Sequence, residues 1–81
     1  MRKEQASQNK DRAEAGKVAV AAMVKHVDNS DLDEMVPGDV RAAIVDTLAN
    51  VLHYGESRGV YAREVIWTAK DHFNAEMKGD D

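Results

Sequence analysis

No cysteine occurs anywhere in the chain. Disulfides, thiolate zinc sites and cysteine nucleophiles are therefore excluded, and the absence fits a cytosolic protein. Long apolar runs are missing too. The longest is VAVAAMV, Val18 to Val24, far short of the about 20 residues that cross a bilayer. The start, MRKEQASQNK, has basic residues but no apolar run behind them, so it lacks the pattern of a secretory signal. No β-branched run alternates long enough to read as a strand. No glycine-rich phosphate loop is present, and Ser7, Ser30, Ser57, Thr47 and Thr68 stand in no nucleophile-elbow context. These absences point to a soluble, cytoplasmic, all-helical protein that is not an enzyme, carries no cofactor or metal and meets no membrane.

What is present is small and unevenly charged. A chain of 81 residues buries only roughly 60–65% of its unfolded surface, so its stability is marginal and oligomerisation is a common remedy. The net charge is −4. Residues 1–27 carry +3, residues 28–39 carry −5, residues 40–59 balance, and residues 60–81 carry −2. A basic end on an acidic remainder suits a charged protein partner or two copies meeting head to tail.

The pattern predicts a single all-α domain over 1–81: a long N-terminal helix, an acidic linker and a C-terminal helical hairpin. The first helix fills about the first 25 residues, with 1–8 disordered or loosely helical. Ala6, Ala13, Val20 and Val27 form a heptad stripe on it. Val18–Val24 is apolar all round, which predicts burial from more than one side. Val18, Val20, Met23 and Val24 are accordingly the expected interface of a homodimer, with Gly16, Ala13 and Ala19 allowing close approach. The linker, 28–39, holds a short helical turn over Leu32–Met35 capped by Ser30. Val36 should be extended before Pro37, and Asp39 should cap the second helix. That helix runs from Val40 to about Ser57, with Val40, Ile44, Val45, Leu48, Val51 and Leu52 as its core face. Gly59 suits a left-handed C-terminal cap. The third helix, about Tyr61 to Met77, turns Ala62, Val65, Ile66, Ala69, Phe73 and Met77 inward.

The linker DNSDLDEMVPGD has five acids and no base. A calcium loop of the helix–loop–helix kind needs a series of oxygen ligands and a glycine at its sixth position. Counted from Asp28 the fifth position is Leu32; from Asp31 the fifth and sixth are Met35 and Val36. The segment reads first as a hinge with helix caps, and second as a docking surface for a basic groove through Asp31, Asp33 and Glu34. His26, His53 and His72 lack the Glu-x-x-His arrangement of helical metal sites, so a histidine-dependent metal enzyme is the third-ranked reading. Arg63 and Lys70 on the third helix are outnumbered by Glu64, Asp71 and Glu76, which disfavours phosphate. Trp67 falls opposite Ile66 and Phe73, and with Arg63 it makes a natural interface anchor.

Residues 44–76, with Leu52-His53-Tyr54, Gly59 and His72-Phe73 before Glu76, resemble a type of short helical protein of bacteriophages and prophages. Tyr61 departs from that pattern, where an Asp or Ser cap is usual. The resemblance implies a mobile-element accessory protein and no catalytic residues. By class, it implies an anti-CRISPR-like inhibitor of a host or defence protein. The resemblance carries over no site, and the expected contacts, Asp31, Asp33, Glu34, Arg63 and Trp67, rest on the acidic cluster and the Trp67–Arg63 anchor alone. The alternative is a small DNA-binding regulator or antitoxin using the basic first helix.

Overall fold

The computed structural model describes residues 3–79, with side chains from Ala6 onward. Three helices carry the fold: α1, Lys3–Asp28; α2, Pro37–Ser57; and α3, Ala62–Lys78. A short 3-10 turn, Leu32–Glu34, lies between α1 and α2 and rests on α1. The all-α expectation holds, as a long helix followed by a helical hairpin. Helix α1 reaches back to Lys3, well into the segment expected to be loose. Among the described residues no helix is long and apolar enough to cross a membrane.

The helix ends show why the chain breaks where it does. Asn29 closes α1 in the left-handed region at φ 53°. Its N–H still donates to the Lys25 carbonyl at 3.0 Å, and the Ser30 N–H reaches back to Val24 at 3.3 Å. The 3-10 turn is capped by Asp31, not Ser30: the Asp31 carboxylate accepts from the Asp33 N–H at 3.0 Å. Val36 is extended as its position before proline requires. However, α2 begins at Pro37 itself, with Val36 as its N-cap. A proline at the first helical position lacks only an N–H that the helix does not use, and its fixed φ suits the turn. Asp39 therefore sits inside the first turn, where its charge meets the positive end of the helix dipole.

The α2–α3 junction is the tightest piece of local structure. Gly59 adopts φ +78°, its N–H donates to Glu56, and the Val60 N–H donates to Gly55 at 2.8 Å. These two bonds are the Schellman pair that ends a helix on a left-handed residue. Tyr61, the N-cap of α3, makes no side-chain cap bond. The cap comes from the preceding helix: Glu56 Oε2 accepts from the Ala62 N–H at 2.8 Å. The missing Asp or Ser at position 61 is thus replaced in space by a carboxylate five positions earlier. Glu56→Ala should cost about 1 kcal/mol, as for other lost caps, with Glu56→Gln recovering part of it. Urea unfolding of the two variants checks this.

The interior is slight. Among the described residues Val24, at 1% exposure, is the one fully buried large side chain, and Ala43 and Thr47 are the other buried residues. The stripe that α2 turns toward the interior is therefore Ala43–Thr47, not the predicted Ile44–Leu48–Val51 face. Small side chains let a neighbouring backbone come near, and the Thr47 hydroxyl is satisfied by donating to the Ala43 carbonyl at 2.7 Å. Of the expected α2 face, Val40 and Leu52 are half-buried, while Ile44, Val45, Leu48 and Val51 are exposed. On α3, Ala62 and Val65 are half-buried as expected, while Ile66, Ala69, Phe73 and Met77 are exposed. Gly16 has no atom within 4 Å of where a Cβ would stand, so no helix of this chain uses the close approach it allows.

Candidate functional site

An apolar groove of about 720 Å³ opens between α1, the 3-10 turn and α2. Ala13, Gly16, Ala19 and Val20 supply the α1 wall, Leu32 one end, and Val40, Ile44, Leu48 and Val51 the α2 wall, with Thr47 beside them. The wall follows from helical spacing: positions 40, 44, 48 and 51 return to one side of α2 every three or four residues. Its one charged feature is an ion pair, Lys17 Nζ to Asp33 Oδ1 at 3.2 Å. That pair ties the acidic linker to α1. The hydrogen bond it donates to the Asp33 carboxylate, then the charge of Asp33, with lesser help from Glu14 and Asp31, holds the Lys17 ammonium above the usual lysine value of 10.5.

Because folding raises Lys17 above 10.5, the stabilisation it brings is complete below that pH and is lost as pH climbs through the raised value. The pair is open to solvent, so the effect is small. Thermal midpoints should not drift through this pair between neutrality and pH 10, and a decline above that should vanish in Lys17→Met.

The predicted docking residues fall into two separate places. Asp31 and Asp33 are both engaged locally, one as a cap and one with Lys17. The Glu34 N–H donates to the Asp31 carbonyl at 3.1 Å, while its side chain is exposed and makes no hydrogen bond or ion pair among the described residues. Arg63 and Trp67 lie one helical turn apart on α3, beside Glu64 and Thr68 on a shallow surface. Trp67 is the most exposed of the large apolar residues, at 78%. The expected dimer set also divides. Val24 is buried within the chain, Val20 lines the groove, Met23 lines a hollow on another side of the α1–α2 contact, and Val18 is 70% exposed. Val24 thus has no surface to offer a second copy.

Besides the Lys17–Asp33 pair, sequence reasoning missed four polar contacts. Glu56 caps α3. Asn9 Nδ2 donates to the Glu76 carbonyl at 3.1 Å, and Arg12 Nε lies 3.3 Å from the Glu76 carboxylate, together clasping α1 to the end of α3. Arg12 also donates to Asn9 Oδ1 at 2.7 Å. The spacing of Asn9 and Arg12 was the only signal of that clasp. Among the described residues no group of three or more His, Asp or Glu side chains is placed to hold a metal ion. Comparison with known proteins returned no matching family model, curated protein or solved structure.

Proposed function

We propose that this chain is a non-enzymatic binding protein whose working surface is the apolar groove between α1 and α2, together with the exposed apolar stripe of α3. One observation carries the reading. Among the described residues fourteen large apolar side chains are exposed, while Val24, Ala43 and Thr47 alone are buried. Several of the exposed residues, Ile44, Leu48 and Val51 among them, line the one groove with Val20 and Val40, and apolar surface gathered in this way marks an interaction site. The acids of the linker contribute less than their number suggests, because Asp31 and Asp33 already serve the turn and Lys17. In the setting that the phage-protein resemblance implies, a host or defence protein is met through the outer residues Glu34, Arg63 and Trp67, with its inhibition as the outcome. The DNA-binding alternative is less well supported, since Arg12 and Lys17 are already paired with Glu76 and Asp33.

Hydroxyl-radical footprinting in a bacterial lysate tests the reading. Ile44, Leu48, Phe73 and Met77 should react severalfold less than in the urea-unfolded chain. Reaction at the rate of freely exposed side chains, in lysate and at every concentration of purified protein, would remove it.

A further inference from the structure

Resting on that binding reading, we propose that the partner on this surface is a second copy of the same chain. The two copies form an obligate homodimer through the Ile44–Leu48–Val51 wall and the Ile66–Phe73–Met77 stripe, not through Val18.

Area is the first argument. The chain exposes 6761 Å², whereas a compact monomer of its 8.9 kDa exposes about 4,800 Å². Two copies that hid the excess of about 2,000 Å² each would bury about 4,000 Å² in total, inside the range of obligate homodimers and well above that of transient complexes. Shape is the second. The Cα extents are 38 × 35 × 18 Å and the radius of gyration is 14.2 Å, against about 12 Å for a compact chain of this length. The chain is a thin slab, and stable domains pack at least two layers around a core. Composition is the third. Leu48, 59% exposed, with Ile44, Val51 and Ile66, are aliphatic residues of a protein interior. Phe73, also 59% exposed, and Met77 are types that gather in the cores of interfaces. Surfaces that meet partners transiently favour Tyr, Trp and Arg instead. A surface this aliphatic needs cover from the moment of synthesis, and the one partner always present in equal amount is another copy. Trp67 stands away from the stripe and remains available on the outside of the dimer.

Sedimentation equilibrium of the full chain tests the proposal. The expected mass is twice 8.9 kDa at concentrations down to about 1 µM, a typical bound for a stable pair. Leu48→Glu and Phe73→Glu should each halve the mass or leave the chain unfolded, whereas Val18→Glu should stay dimeric. Subunit exchange between two differently tagged wild-type copies covers the case in which the glutamate variants do not fold; mixed-tag species support the dimer and their absence overturns it. A folded, helical wild-type monomer at about 100 µM overturns it as well. If that monomer is nevertheless protected in lysate, the binding reading survives with a different partner. A dimer broken by Val18→Glu but not by Leu48→Glu overturns the assigned surface.

Discussion

Val24→Ala should lower the free energy of unfolding by about 1.5–3 kcal/mol, more than any other truncation within a single copy. Val24 is the one large side chain wholly inside the chain, and its carbonyl receives the Ser30 N–H that closes α1. The side chain shares its hollow with Met35 and Ala43, so its loss loosens α1, the linker and α2 together. A domain of this size has a total stability of roughly 4–12 kcal/mol, and the loss is a large share of it. Val27→Ala, one turn away and exposed, should change stability by less than about 0.5 kcal/mol. The contrast between the two in urea midpoints is the reading. Equal effects would mean that α1 does not meet α2 through Val24.

Periodicity located the three helices well, because apolar spacing, Gly59 and Pro37 act locally. Boundaries slipped where two residues competed for one role. Asp31 took the cap that Ser30 could have made, and Pro37 opened α2 before Asp39 could cap it. The apolar faces were legible, but their cover was not. Spacing says that Ile44, Leu48 and Phe73 share faces with other apolar residues; it does not say which chain lies opposite. The buried contact went instead to Ala43 and Thr47, since close approach rewards small side chains while hydropathy patterns reward large ones. The acidic linker looked like a docking surface because its charges could be counted and their partners could not. Lys17 lies sixteen positions from Asp33 and meets it only after folding.

Each tenfold rise in protein concentration should raise apparent stability by about 1.4 kcal/mol per dimer, the mass-action term for a two-chain native state. For a folded unit of this combined length, that moves the thermal midpoint by about 3–5 °C per decade. The effect is large because little is left to hold a single copy: a slab 18 Å thick, one buried valine and two small residues. Calorimetry between about 5 and 500 µM spans two decades, so the expected total shift is about 6–10 °C. Ile44→Ala supplies the matching comparison. Within a lone chain its half-exposed side chain has little to lose, but at a joined interface it should cost about 2–4 kcal/mol per copy. A midpoint independent of concentration, with Ile44→Ala near neutral, would place the whole of the stability in one chain. It would leave Val24, Ala43, Thr47, the Glu56 cap and the Arg12–Asn9–Glu76 clasp to hold three helices together, which by size alone they are poorly equipped to do.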